Sequence, residues 1–190
     1  TSGGAVNNNG SGVINSIIGS FYNNHTESNG GASETRGGAL INFGKITELT
    51  GNFDNNYALT NGTSSIGGAI ANIYGNENSI GIGKLSGNFS NNYAKTTGSG
   101  SNAYAQGGAI YNNNSAVISN IQSSNFSNNY VSGADAKTDG GAIWNAGKIS
   151  FSGNNAFKDN YKIVNGVKTA NDIYNSGTVN VTENSSLSVS

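Results

Sequence analysis

The sequence predicts an all-β protein that folds as a parallel β-helix, a solenoid of about six stacked coils. Two short motifs alternate along almost the whole chain, and their copies recur every 30 to 40 residues or so, as in solenoids. The segments between them alternate apolar and polar residues, which is typical of strands with one buried face. The 190 residues also include 35 Asn and 29 Gly but no Pro, as expected where nearly every strand residue donates a backbone hydrogen bond.

The composition excludes several classes of protein. Nine Lys and Arg residues against ten Asp and Glu, with a pI near 5.7, leave no basic surface for nucleic acid. The absence of Cys excludes disulfides, thiolate metal sites and Cys nucleophiles. His25 is the only histidine, and no run of residues approaches the roughly 18 apolar residues of a membrane helix. We therefore expect no nucleic-acid partner, no metal and no cofactor.

The first motif is Gly-Gly-Ala followed by an aliphatic residue. Its five copies begin at Gly3, Gly37, Gly67, Gly107 and Gly140, and a divergent sixth copy begins at residue 170. An asparagine lies two residues after the aliphatic position in all six copies: Asn8, Asn42, Asn72, Asn112, Asn145 and Asn175. We interpret residues 1–190 as a single β-helical segment whose repeats span 3–36, 37–66, 67–106, 107–139, 140–169 and 170–190.

The second motif is Phe-x-Asn-Asn, with Asp at the third position of the last copy. Its phenylalanines are Phe21, Phe53, Phe89, Phe126 and Phe157. In each of the last four copies a tyrosine directly follows the motif. In the first copy His25 takes that position, and we interpret it as a polar substitute for the tyrosine.

Each coil is expected to contain three short strands joined by turns. The segments that vary in length between copies, 25–36, 58–66, 94–106 and 131–139, are rich in Ser, Thr, Gly and Asn. This composition is typical of surface loops, so we expect variable loops on one side of the solenoid.

Stacking at about 4.8 Å places equivalent residues of successive coils above one another. The six asparagines of the first motif are expected to form a ladder of side-chain hydrogen bonds, and the asparagines of the second motif a similar one. The five phenylalanines are expected to stack inside the solenoid as an aromatic spine.

The alternating Gly-Gly-Ala-aliphatic and Phe-x-x-Asn motifs resemble those of the polymorphic outer-membrane proteins of chlamydial type and of related autotransporter passengers. The resemblance covers roughly residues 3–175. It implies a right-handed β-helical passenger that is exported, displayed on the bacterial cell surface or secreted, and used for adhesion to host cells. The sequence shows neither an export signal nor a C-terminal translocating barrel, so we expect it to be part of a longer protein, attached to a membrane only through that missing barrel.

Candidate catalytic residues are sparse. The carboxylates are scattered along the chain, and the nearest approach to an acidic pair is Asp135 with Asp139, beside Lys137. We interpret this group as a solvated loop, and we expect no enzymatic activity.

Binding is the better hypothesis. The residue between the buried aliphatic and the ladder asparagine should point outward, and in the last three copies it is Tyr111, Trp144 and Tyr174. These rings would form an exposed aromatic strip suited to sugar rings or a protein partner. A second outward column of Lys45, Lys84 and Lys148 is interpreted as a solvated face.

The sequence therefore predicts a non-catalytic surface adhesin passenger that mediates attachment to host cells, through a protein or a glycan, or association between cells. The alternatives are a structural stalk that presents a binding domain located elsewhere, and a glycan-binding β-helix. The coil ends at Thr1–Asn8 and Val179–Ser190 carry no visible cap, which also predicts end-to-end self-association.

Overall fold

A computed structural model describes residues 1–31, 33–74, 81–99 and 102–189. In these residues the chain forms 24 strands and no helix, so none of its described segments is a helix that could span a membrane. The strands form four sheets, which we number I to IV, and strands of successive repeats pair in parallel within them. The predicted parallel β-helix is confirmed.

Sheet I contains the first motif of every repeat. Its six parallel strands are β1 (Val6–Asn8), β5 (Leu40–Asn42), β9 (Ile70–Asn72), β13 (Ile110–Asn112), β17 (Ile143–Asn145) and β22 (Ile173–Asn175). The register places each ladder asparagine opposite the next one. Six stacked strands make five steps from coil to coil, which gives a solenoid of about five turns.

Sheet II carries the middle of each repeat and the phenylalanine of the second motif. Its strands in the first three repeats are long: β2 (Val13–Tyr22), β6 (Lys45–Asp54) and β10 (Ile82–Ser90). Later repeats divide the same path into β14 (Val117–Gln122) and β15 (Asn125–Ser127), β18 (Lys148–Ser152) and β19 (Asn154–Lys158), and β23 (Thr178–Val181) and β24 (Ser186–Ser188). The two separate strands that the sequence predicted here are therefore one continuous strand in the first three coils.

The segments interpreted as surface loops contain two further sets of strands. Sheet III consists of β3 (His25–Ser28), β7 (Tyr57–Thr60), β11 (Tyr93–Thr96), β16 (Tyr130–Gly133), β20 (Tyr161–Val164) and β21 (Val167–Ala170). Sheet IV consists of β4 (Glu34–Arg36), β8 (Ser64–Ile66) and β12 (Tyr104–Gln106). The connections that vary in length lie between sheets III and IV and also between sheets I and II, where two residues separate β5 from β6 but four separate β1 from β2. Polar residues such as Thr and Ser still pair as strands when a neighbouring coil offers backbone partners.

The glycine pair of the first motif meets two separate requirements. The first glycine of each of the five pairs has a positive φ, between 61° and 73°, which L-residues adopt only with strain. A Cβ on the second glycine would overlap a backbone carbonyl of the next coil, as at Gly38 and Gly68. Both positions therefore exclude larger residues.

The interior of the solenoid is a continuous apolar core. Aliphatic residues of sheet I face those of sheet II and the stacked phenylalanines, and all of these side chains are buried in the inner coils. The phenylalanine ring centroids lie 4.6 to 4.8 Å apart with nearly parallel planes, from Phe21 to Phe157.

A hairpin at the end of the fifth repeat forms one edge of sheet III. Strand β21 turns back and pairs antiparallel with β20 through the two-residue turn Asn165–Gly166. Both turn residues have positive φ, 50° and 80°, as a type I′ hairpin turn requires. The Lys168 ammonium lies 3.7 Å from the centroid of the Tyr161 ring. The C-terminal strands that were expected to carry no cap are β23 and β24, which lie at the two ends of sheet II, and β22 is the terminal strand of sheet I.

The divergent sixth copy of the first motif supplies one of its hydrogen bonds to the preceding coil through a side chain. In the inner coils the N–H of the second glycine donates to a glycine carbonyl of the next coil, as Gly68 does to Gly107. Asn171 replaces that carbonyl in the last repeat, since its Oδ1 accepts from the N–H groups of Gly140 at 2.6 Å and Gly141 at 2.9 Å.

Candidate binding face

The first-motif asparagines form a continuous buried ladder. In each step Nδ2 of one asparagine donates to Oδ1 of the next, at 2.7 to 2.9 Å, from Asn8 to Asn175. Asn42, Asn72, Asn112 and Asn145 are completely buried. Ordered amides with every hydrogen bond satisfied hold the coils in register, so this column is structural.

The two asparagines of the second motif have different roles. The first has a left-handed backbone, with φ of 54° to 56° at Asn23, Asn55, Asn91 and Asn128, and Asp159 takes its place in the last copy. The second asparagine is the buried one. Asn92, for example, accepts from the N–H and Nδ2 of Asn56 and donates to Asn129 and to the Phe53 carbonyl.

A second aromatic column lies outside sheet III. Its rings stack at 4.8 to 5.1 Å and run from His25 through Tyr57, Tyr93 and Tyr130 to Tyr161. His25 stacks on Tyr57 with their planes 7° apart, which confirms its interpretation as a substitute for tyrosine. Burial raises the pKa of Tyr93, and it raises the pKa of Tyr130 to about 12, with smaller contributions from the neighbouring tyrosines. The recurrence of these tyrosines directly after the second motif is the sequence signal that could have predicted this column.

Of the three lysines expected in one outward column, Lys45 and Lys148 occupy equivalent register positions three coils apart, and Lys84 does not. Lys84 lies opposite Glu48, with Nζ 3.1 Å from Oε1, and Lys45 lies opposite Val13. The glycine before each lysine suggested a common alignment, but the buried isoleucines and leucines on the core face set the register and place Lys84 opposite Glu48, three residues beyond Lys45. Lys84 therefore forms an ion pair with Glu48 at a partly exposed site and does not lie beside Lys45.

The outward column of sheet I is exposed only in part. Ile41 and Ala71 are completely buried, because Ile66 at the end of sheet IV and Ile73 pack over them. Tyr111 packs against the edge of this small cluster. Its Oη donates to Asn113 at 3.2 Å, and burial raises its pKa to about 12.

The expected aromatic strip begins where sheet IV ends. Tyr111, Trp144 and Tyr174 lie opposite one another in β13, β17 and β22. Their ring centroids are 4.7 and 5.8 Å apart, with planes 7° and 13° from parallel. Because each ring stacks on the next, the two faces of Trp144 are occupied and its edge is left for a ligand. Tyr174, the last ring, is 38% exposed.

A groove of ≈ 270 Å³ runs beside this strip. It is lined by Trp144 and Tyr174 and, on the other side, by Gln106, Ala136, Lys137 and Asp139. The latter three belong to the connection between β16 and β17, so the groove joins a rigid aromatic edge to a variable loop. In the sequence this loop and the aromatic strip are two separate features, and only the stacking of coils brings them together.

Charged side chains fix one wall of the groove. The Asp139 carboxylate accepts from Lys162 Nζ at 2.7 Å and from Asn171 Nδ2 at 3.1 Å. Asp135 accepts from the Lys137 backbone N–H at 2.8 Å and holds the loop, while Gln106 Nε2 donates to the Lys137 carbonyl at 3.2 Å. The Lys137 ammonium is 5.8 Å from the Tyr104 ring and forms no ion pair with any described residue.

These contacts assign structural partners to the acidic residues considered for catalysis. Asp135 caps the loop and Asp139 forms an ion pair. Within the described ranges no cluster of three or more His, Cys, Asp or Glu side chains is arranged to hold a metal ion.

Comparisons with known proteins add no relative. No family model, no curated protein and no solved structure matches this chain. The β-solenoid is the class that the fold defines, and the candidate site is an aromatic groove on its outer surface.

Proposed function

We propose that this chain is a non-catalytic binding segment of a bacterial surface adhesin, displayed at the outer membrane or secreted, which attaches to a protein or glycan on a host cell. The observation that carries the proposal is the groove beside Trp144 and Tyr174. It combines rigid aromatic side chains with the exposed Lys137 on a connection that differs between repeats.

The chemistry of the groove suits binding. Tyrosine and tryptophan contribute large contact area with little conformational entropy to lose, and they are enriched among residues that dominate binding energy. A loop held on a rigid scaffold is a common position for recognition residues. The groove has an apolar aromatic edge and a polar opposite wall, which is the usual composition of a ligand site.

The structural roles of the recurring residues support the same function. The recurring Asn, Phe and Gly residues are engaged in stacking coils, which leaves sequence variation to the connections and to the outward column. The resemblance of the two motifs to those of autotransporter passengers supports display on the bacterial surface. Attachment by a neighbouring domain, with this segment as a stalk, is the alternative.

The test is attachment of the purified chain to cultured host cells and to a glycan array. Tyr174→Ser and Lys137→Glu should each lower attachment about tenfold or more, because they remove an aromatic anchor and reverse the free charge of the groove. Both side chains are exposed enough for the fold to tolerate their replacement, which thermal unfolding would check.

Tyr74→Ser provides the matched control, because Tyr74 is 60% exposed but does not line the groove. Its attachment should equal that of the wild type. If the wild-type chain fails to attach to cells and glycans, the stalk is the correct function. If it attaches but both groove variants bind normally, the groove is not the site.

A further inference from the structure

Four tyrosines stack ring on ring along the outer face of sheet III, and we call them the outer tyrosine column. They come from four successive coils: Tyr57, Tyr93, Tyr130 and Tyr161. Their ring centroids lie 4.9, 4.9 and 5.1 Å apart, and their planes are 1°, 13° and 2° from parallel. Each of their strands lies inside the sheet, between two other strands, so the column does not depend on where the sheet begins or ends.

Stacking of one tyrosine on another is confined to this column in the described part of the chain. All nine tyrosines of the sequence lie in that part. Tyr111 and Tyr174 belong to the aromatic strip, but Trp144 lies between their rings. Tyr22 and Tyr74 are exposed, and neither stacks on another tyrosine. The column is therefore the place where tyrosines are held in contact with each other whatever the protein concentration.

The rings of the column present their edges to solvent. Each side chain is half-buried, and neighbouring rings cover each other's faces. The exposed part of a ring is therefore its edge, which carries the hydroxyl and the carbons ortho to it. Burial raises the pKa of Tyr93 and Tyr130, so both are neutral phenols at neutral pH. An oxidant that takes an electron from them must also take the proton.

We propose that the outer tyrosine column is a site of oxidative cross-linking, at which a one-electron oxidant joins tyrosines of neighbouring coils as dityrosine. A haem peroxidase with hydrogen peroxide is an oxidant of this class. Two adjacent tyrosines each give up the phenolic hydrogen atom, and the two radicals form a bond between ring carbons ortho to the oxygens. The hydrogens on those carbons move to the oxygens and restore the phenols. Hydrogen peroxide accepts the two hydrogen atoms and becomes two molecules of water.

The register of sheet III favours a bond within one molecule over a bond between molecules. A radical on one ring has its partner one coil away at all times, which corresponds to a high effective concentration. A ring has to turn out of the stack for the bond to form, and a half-exposed side chain has the space to do so. The bond closes a loop of about one repeat and, like a disulfide, restricts the unfolded chain. It therefore ties neighbouring coils together wherever the protein meets peroxide.

The test is treatment of the dilute, purified chain with a haem peroxidase and hydrogen peroxide, followed by mass spectrometry. The product should be a monomer that has lost two hydrogen atoms and shows the fluorescence of dityrosine. Digestion after lysine separates the four tyrosines, because Lys84, Lys95 and Lys158 lie between them. A cross-link then appears as two joined peptides. The cross-linked monomer should melt about 5 °C or more above the untreated protein.

Replacing alternate members of the column removes every adjacent pair. Tyr57→Phe combined with Tyr130→Phe keeps all four rings of the stack, but a phenylalanine then separates Tyr93 from Tyr161. The yield of cross-linked monomer should fall at least about tenfold, because no tyrosine radical has a tyrosine in the next coil. The untreated double variant should fold like the wild type, since the stacked rings remain.

Tyr22→Phe combined with Tyr74→Phe is the matched control, because it removes the same number of hydroxyls from exposed tyrosines outside the column. Its yield of cross-linked monomer should equal that of the wild type. The proposal is overturned if the wild type forms no dityrosine, forms it only between molecules, or joins peptides from outside the column. It is also overturned if the yield is unchanged in Tyr57→Phe with Tyr130→Phe. Cell attachment through the groove is measured separately and does not depend on this outcome.

Discussion

Asparagine side chains hold successive coils together by repeating the same hydrogen bonds at every step. The buried ladders are effective because each amide both donates and accepts within the column and also satisfies a backbone group, as Asn92 does with the Phe53 carbonyl and the Asn56 N–H. A side chain with this many buried partners is costly to remove, because each partner is left without a hydrogen bond in a medium that excludes water.

Replacing Asn92 with alanine should therefore destabilise the protein by about 3 kcal/mol or more, since several buried groups lose their partners. Asn88→Ala is the matched control. Asn88 lies on the same part of the chain and forms a similar ladder with Asn52 and Asn125, but it is exposed. Loss of the Asn88 side chain should lower the free energy of unfolding by no more than about 0.5 kcal/mol, because water replaces the amide. Chemical denaturation of both variants measures the difference, and equal losses would contradict this explanation.

At the scale of elements, the strands are short and none is stable alone. Strands inside each sheet have a partner in the coil before and the coil after, so stability is the sum of contacts between neighbouring coils. The hairpin of β20 and β21 differs from all other pairs because it is antiparallel and local in sequence. It adds one antiparallel strand to sheet III, whose other strands pair in parallel.

Gly166→Val should open this hairpin. Gly166 has φ of 80° and no atom within 4 Å of its Cβ position, so the substitution adds backbone strain without a steric clash. The expected cost is about 1 to 2 kcal/mol, with faster hydrogen exchange confined to β20 and β21.

Gly10→Val separates strain from the general effect of a larger side chain. A Cβ on Gly10 also meets no atom within 4 Å, but Gly10 has no positive φ. Hydrogen exchange should then match the wild type in β20 and β21. Equal protection of the hairpin in Gly166→Val and the wild type would contradict the role given to the turn.

At the scale of the whole molecule, columns of equivalent residues run along the solenoid. The outer tyrosine column makes the stability of the folded protein depend on pH. In the folded protein the pKa of Tyr130 is raised from 10.0 to about 12, chiefly by burial. The unfolded chain ionises this tyrosine first as the pH rises. The contribution of this pKa difference to the stability of the folded protein is therefore complete below pH 10, and it is lost as the pH approaches about 12.

The melting temperature should accordingly fall between pH 10 and about 12. Tyr130→Phe should make this fall shallower, because phenylalanine keeps the stacked ring and has no proton to lose. Tyr22→Phe is the control at an exposed tyrosine outside the column, and it should leave the pH dependence unchanged. Thermal unfolding followed by circular dichroism over this pH range measures all three proteins, and an identical slope for Tyr130→Phe would disprove the assignment.

The repeats of the sequence were sufficient to predict the solenoid. Gly-Gly pairs, ladder asparagines and phenylalanines recur at matching positions, and a residue that recurs in every coil stacks on its equivalents, so the columns follow from the spacing alone. The polar segments such as 25–36 were wrongly interpreted as loops throughout, because their composition lacks the apolar alternation by which a strand is recognised. They pair as strands because neighbouring coils offer unpaired backbone groups.

The sequence by itself determined which residues would stack, since that depends on local period and on identity within each repeat. Only the tertiary structure decided which outward residues are exposed. Ile41 and Trp144 occupy equivalent positions in their repeats, yet sheet IV covers the first and ends before the second. Burial of an outward side chain depends on how far a separate segment reaches across it, and the groove between Tyr174 and Lys137 exists because two segments distant in sequence meet at the end of that sheet.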